Sequence, residues 1–152
     1  MSDHVYVTSL AWEGSTGVGY RAYSRTHRVG AAPADAELTL SSDPHFRGDA
    51  SLLNPEQLLV AAASSCQLLA FLAEAARAKV DVTGYTDTAR GVMTDGATPM
   101  RLDRIDLAPV IKVAAGTDPD LVHRLVDDAH HGCYIANSLI SEVTVAATVE
   151  SS

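Results

Sequence analysis

A single α/β domain, with strand-forming segments before and after one long apolar helix and a second, amphipathic helix near the end, is what this sequence predicts. Three observations carry that expectation. Asn54-Pro55-Glu56-Gln57 opens a stretch that runs to about Lys79 without a glycine or a further proline. Asp118-Pro119-Asp120 opens another, with apolar residues at helical spacing. Between and around them lie short β-branched runs punctuated by glycine and proline. At 152 residues, with no internal repeat, low-complexity tract or dividing linker, the chain is expected to form one domain, 1–152.

Taken in order, residues Val5 to Trp12 alternate weakly and read as a strand, Val18 to Val29 as a second and Ala36 to Leu40 as a short third. Gly14, Gly17 and Gly30-Ala31-Ala32-Pro33 separate them. The first helix starts with Asn54 as its cap, Pro55 where a missing N–H costs nothing, and Glu56 at the positive end of the dipole. From Leu58 to Ala73 it carries no charge. Interrupted by Ser64, Ser65, Cys66 and Gln67, the run is too short and too polar for a membrane span, so a helix buried nearly all round is expected. Leu59, Ala62, Ala63, Leu69 and Ala70 share the face of Cys66 and form a seam of mostly small residues.

Gly84 to Met93 and Leu102 to Val113 read as paired strands joined by a turn at Asp95 to Pro99, with Pro109 marking a bulge or edge. In the second helix Leu121, Val122, Leu125, Val126 and Ala129 form the apolar stripe. Gly132 ends or bends it, placing Cys133 at the start of a short segment, Tyr134 to Leu139, that is helical again. Val143 to Val149 closes the sheet.

A net charge of −8 and a pI near 5.0 argue against nucleic acid and anionic membranes as partners. The two cysteines, Cys66 and Cys133, come without a signal-peptide pattern, a CxxC or further cysteines, which favours a cytosolic, cytoplasmic thiol site over a secreted disulfide framework. Core filling is the competing reading of both thiols. A metal-binding module is the less favoured alternative. His123 and His130 lie about 10 Å apart along a helix axis, and the adjacent His130 and His131 point about 100° apart.

In three places, in order, the chain resembles the OsmC/Ohr family of thiol-dependent hydroperoxide reductases: Asn54-Pro55-Glu56-Gln57-Leu58-Leu59, the small-residue run Ala61 to Ser65 ending in Cys66, and Ala129-His130-His131-Gly132-Cys133. The resemblance implies an OsmC-like fold: mostly antiparallel sheets, a long central buried helix, a second helix, and an intertwined homodimer with sites at the subunit interface. It implies Cys66 as peroxidatic thiol and Cys133 as resolving thiol. It also implies an arginine held by Glu56, and desolvation of a thiolate supplies the reason, because a buried nucleophile of this kind needs a cation beside it. Two arginines answer to the family's positions. Arg21 lies in Gly19-Tyr20-Arg21-Ala22, and Arg47 lies in His45-Phe46-Arg47-Gly48, where histidine stands in the place of the family's arginine. Arg21 is preferred because a strand is the more rigid mount.

The implied activity is reduction of hydroperoxides, organic ones in preference to hydrogen peroxide, through a Cys66 sulfenic acid and a Cys66–Cys133 disulfide reopened by an external thiol or dithiol, with no bound cofactor or metal. Leu69, Phe71, Phe46 and Tyr134 are candidates for an apolar lining. The alternative is a non-catalytic protein of the same fold that binds a small molecule or senses redox state. Helix geometry adds one expectation. Glu56 and Cys66 lie about 15 Å apart in rise and about 80° in rotation on an unbroken helix, so a shared site calls either for a sharp bend before Cys66, where no proline or glycine stands, or, as the favoured reading, for Glu56 of one chain and Cys66 of another.

Overall fold

Asn54 caps the long helix by a reciprocal pair of hydrogen bonds. The Gln57 N–H donates to Asn54 Oδ1 at 2.8 Å and the Asn54 N–H donates to Gln57 Oε1 at 3.0 Å, satisfying two donors that the helix start leaves open. In the computed structural model, which describes residues 1–151, helix α1 then runs unbroken from Pro55 to Arg77. It ends where Lys79 takes a left-handed conformation, φ 58°, and the Val80 N–H closes on the Ala75 carbonyl at 2.9 Å.

Burial along α1 differs from the expectation. Only Ala63, Gln67, Phe71 and Ala75 are fully buried, one stripe at four-residue spacing. Leu69 is 64% exposed and Leu72 39%, so much of the uncharged surface faces outward. The reason is geometric: the sheets and the second helix of one chain cover a single side of a cylinder. By length and composition α1 is apolar enough to cross a membrane, but its buried stripe is part of a packed core.

The chain divides into two compact units, Met1–Leu58 and a second that begins at Leu59. In the first, β1 (Ser9–Ala11), β2 (His27–Gly30) and β3 (Glu37–Leu40) form an antiparallel sheet in that order, with Leu10 opposite Val29 and Arg28 opposite Thr39. The expected strand from Val18 to Val29 is thus only its last part. A 3₁₀ turn at Thr16–Val18 and a turn over residues 20–22 replace the rest. Gly19, at φ 94°, adopts a backbone that favours glycine, and Arg25 pins the turn by donating to the Tyr20 and Tyr23 carbonyls at 2.6 and 2.8 Å.

In the second unit each long strand read from the sequence is two. Gly84 to Met93 resolves into β4 (Val82–Thr86) and β5 (Arg90–Met93), Leu102 to Val113 into β6 (Leu102–Leu107) and β7 (Val110–Val113), and the last segment into β8 (Glu142–Val145) and β9 (Thr148–Ser151). One sheet has the order β4-β7-β9, the other β5-β6-β8. The β4–β7 and β5–β6 pairs are antiparallel, whereas β8 and β9 run parallel to β6 and β7. All three segments break at one level. Pro109 has no N–H for a ladder, and Asp87 accepts the Ala108 N–H at 2.8 Å and the Ser64 hydroxyl, holding the break open against α1.

Helix α2 (Pro119–His131) starts as its sequence dictates, the Asp118 carboxylate accepting the Asp120 N–H at 2.9 Å, and ends at Gly132. After Cys133 comes the short α3 (Tyr134–Asn137). Phe71 and Ala75 of α1, Ile111 and Val113 of β7, and Val122, Leu125, Val126 and Ala129 of α2 make the main core. A smaller cluster gathers Ala63, Ile105 and Leu107.

Tyr85 packs its ring 5.9 Å from that of Phe71, but its hydroxyl is buried without a hydrogen-bond partner. Burial first, and then the charge of Asp87, push its ionisation up to about 12. The unfolded chain ionises near the ordinary tyrosine value of 10.0 while the folded one stays protonated, so this group lowers stability progressively between pH 10.0 and about 12. Tyr85→Phe is expected to flatten that alkaline loss and, at neutral pH, to match the parent or exceed it by about 1 kcal/mol, because an unpaired hydroxyl is removed. Denaturant midpoints measured across the alkaline range test this. A Tyr85→Phe variant several kcal/mol less stable at pH 7 would show that the hydroxyl is engaged after all.

Candidate thiol site

Cys66 lies midway along α1 and is half-buried, next to the buried stripe. Cys133 caps α3 in an extended conformation, its N–H donating to the His130 carbonyl at 3.2 Å, and is 1% exposed. Gly132 thus separates two helices as read from the sequence, and the break turns Cys133 inward rather than leaving it on a surface loop. Both thiols are free.

The fold brings the two together. Burial pushes the Cys133 thiol above its ordinary range, and a hydrogen bond to the Cys66 side chain and the charge on Cys66 push it the same way. The backbone amides of Ala136 and Ile135 pull it back in part. Cys133 therefore holds its proton more tightly than a free thiol, with the Cys66 side chain against it.

Two further buried polar groups, one next to Cys66 in sequence and one three residues before Cys133, were not assigned to a thiol site by the sequence reading. Gln67, 1% exposed, donates from Nε2 to the Val126 carbonyl at 3.1 Å and leaves Oε1 without a partner. His130 has Nδ1 buried and likewise unpartnered. The available signal was an amide in the middle of an uncharged run, here read only as an interruption of the helix's hydrophobicity.

The charged candidates Glu56, Arg21 and Arg47 all belong to the unit Met1–Leu58. Glu56 is in the first turn of α1, and because the helix is unbroken from Pro55 to Arg77 it stands about three turns from Cys66 on the same helix. Arg21 is exposed and in a turn, not in a strand, which removes the reason for preferring it. Arg47 caps the 3₁₀ turn Pro44–Phe46 in a left-handed conformation, φ 65°, with its guanidinium 5.9 Å from the centre of the Tyr20 ring. The loop that carries it is tight. Asp43 O accepts the N–H of Phe46 at 2.8 Å and of Gly48 at 3.1 Å, Phe46 O accepts the Ser42 hydroxyl at 3.1 Å, and a Cβ on Gly48 would fall 1.5 Å from Ser42 O. Of the two mounts the Arg47 loop is the more constrained, the reverse of the expected ranking.

Among the proposed lining residues, Phe71 is wholly buried in the core, while Leu69, Phe46 and Tyr134 are exposed in the single chain. Among the described residues no three His, Cys, Asp or Glu side chains converge as metal ligands.

Comparison with known proteins agrees with this architecture. The model of the family described as OsmC-like protein matches residues 48–148. No curated protein gives a significant match. Among solved structures, an OsmC-like protein of unknown function from Vibrio cholerae superposes with a TM-score of 0.85 at 26% identity, covering 97% of this chain and all of that one. An organic hydroperoxide resistance protein from Legionella pneumophila gives 0.69 at 18% identity over 99% of both chains. One from Elizabethkingia anophelis gives 0.72 at 19% identity, again over 99% of both. With two-thirds of its residues under the family model and the same mixed α and β architecture along its length, the chain belongs to the OsmC-like proteins.

Proposed function

We propose that this protein is a thiol-dependent peroxidase of organic hydroperoxides, with Cys66 as the attacking thiolate and Cys133 as the resolving thiol. The observation that carries the reading is the contact of a half-buried Cys66 with a buried, protonated Cys133 at a helix break. Cys66 S⁻ attacks the terminal oxygen of the hydroperoxide, the O–O bond breaks, and the alkoxide takes a proton and leaves as alcohol. Cys133 then displaces the sulfenic hydroxyl as water, forming the Cys66–Cys133 disulfide. An external thiol or dithiol reopens it by exchange, so the cycle calls on no metal or organic cofactor.

Arg47 is the cation we assign to the Cys66 thiolate, with Glu56 as its carboxylate partner. Because Glu56 and Cys66 are separated along one straight helix, the working unit is a homodimer that combines Glu56 of one chain with Cys66 of the other. The outward uncharged face of α1, with Leu69 and Leu72, supports that assembly. A two-cysteine chain without a disulfide framework is suited to the cytoplasm, where reducing thiols are supplied. Turnover of cumene or tert-butyl hydroperoxide by the purified protein with dithiothreitol tests the reading. Saturable consumption is expected; a rate equal to that of dithiothreitol alone would instead favour a non-catalytic binding or sensing role.

A further inference from the structure

Apolar packing has no direction, so helices that meet only through it can slide or roll on each other at small cost. The buried stripe of α1 is apolar with one exception: between Ala63 and Phe71 stands Gln67, 1% exposed. Its Nε2 donates to the Val126 carbonyl of α2 at 3.1 Å, the one side-chain hydrogen bond that joins α1 to α2 among the described residues. Its Oε1 is buried without a partner. An amide that satisfies its donor and leaves its acceptor open costs the core more than a leucine or methionine of similar volume. Stability alone therefore does not account for an amide at this position.

The bond lies where register matters. Gln67 follows Cys66 directly on α1, and Val126 precedes Cys133 by about two turns on the helix that delivers it. The amide bond and the contact between the thiols thus leave one point of α1 and reach two points of the same segment. Two such points fix an orientation that either alone leaves free. We propose that Gln67 is a positioning residue for disulfide closure: its carboxamide locks the register of α2 on α1 and so aims the Cys133 sulfur at the Cys66 sulfur. In the peroxide cycle Cys133 S–H meets Cys66 S–OH. The S–S bond forms as the S–O bond breaks, and the thiol proton leaves with the hydroxide as water. Alignment is decisive for such a step, because a misplacement of about 1 Å can cost about 10²-fold in rate. The proposal rests on the roles given to the two cysteines, but the step can be followed without a peroxide.

The test uses one equivalent of dithiobis(nitrobenzoate), a chromogenic aromatic disulfide, on the full-length reduced protein. A first release of nitrothiobenzoate marks its attachment to Cys66, the more exposed thiol, and a second marks its expulsion by Cys133. Gln67→Leu and Gln67→Met are expected to leave the first release unchanged and slow the second about tenfold or more. Their denaturant midpoints in the reduced state should equal or exceed that of the parent, because the open acceptor is gone. Val122→Ala is the control. It leaves a cavity in the same core and lowers the midpoint, but keeps the amide bond, so its second release should match the parent. A parent-like second release in both folded Gln67 variants overturns the proposal. Slowing that follows lost stability across the three variants overturns it as well, since Gln67 would then act only through the core. A parent that shows no loss of two hydrogens by mass after the second phase would remove the thiol pairing itself and the proposal with it. Normal two-phase release in a parent protein that consumes no hydroperoxide would defeat the peroxidase reading and leave the role of Gln67 standing.

Discussion

Cys66→Ser is expected to reduce hydroperoxide consumption to the background of the reductant alone, the largest effect of any single substitution in this chain. The oxygen of serine is not ionised at neutral pH and cannot carry a sulfenic acid, so the first step has no nucleophile. Cys133→Ser acts differently. The first attack proceeds at the parent rate, but with no thiol against Cys66 the sulfenic acid persists and is open to a second oxidation to sulfinic acid. Intact-mass measurement after one equivalent and after excess peroxide separates the cases. The parent should lose two hydrogens as a disulfide forms, Cys133→Ser should gain one oxygen and then two, and Cys66→Ser should stay unmodified. Full activity in both single variants would remove the peroxidase reading, since the contact between the thiols would then be packing and nothing more.

Arg47→Met should slow the attack of Cys66 by about 10²–10³-fold, roughly 3–4 kcal/mol of lost charge stabilisation, and move the pH profile of its reactivity to higher pH. Arg21→Met should stay near the parent. The asymmetry follows from the mounts: Arg47 sits in a left-handed cap whose neighbour Gly48 has no room for a Cβ, and Arg21 in an exposed turn. Methionine keeps the length and apolar stem of arginine while removing the charge, so the two variants isolate electrostatics from packing. Single-turnover oxidation rates measured across pH decide it. Equal, unchanged profiles in both variants would show that Cys66 is activated without an arginine, and a large effect confined to Arg21 would restore the ranking drawn from sequence.

Local chemistry was legible in the sequence. The starts of both helices follow from side chains that cap adjacent amides and from prolines with a preset φ, and Asn54, Gln57 and Asp118 form those bonds in the structure. The break at Gly132 that turns Cys133 inward is local in the same sense. The meeting of Cys66 with Cys133 came from matching three motifs to a family, since nothing in the composition places residues 67 apart side by side.

What only the tertiary structure decided is everything fixed by distant partners. Strand propensity ran through Asp87 and Ala146 without a mark, and Pro109 was read as a bulge or edge rather than a division; the division depends on Asp87 bonding Ala108 and on Ala146 and Thr148 bonding the carbonyls of Leu107 and Pro109. The residues of Val18 to Val29 suit a strand, but the Arg25 guanidinium, holding two tyrosine carbonyls, makes the turn that places Arg21 off the sheet. Periodicity could not say which side of a uniformly apolar α1 is inside, because that depends on where β7 and α2 lie. Gln67 and His130 are ordinary residues until α1 and α2 pack. Only then do a carboxamide oxygen and a ring nitrogen become buried and unpartnered, because desolvation is a property of the assembled core and not of the residue.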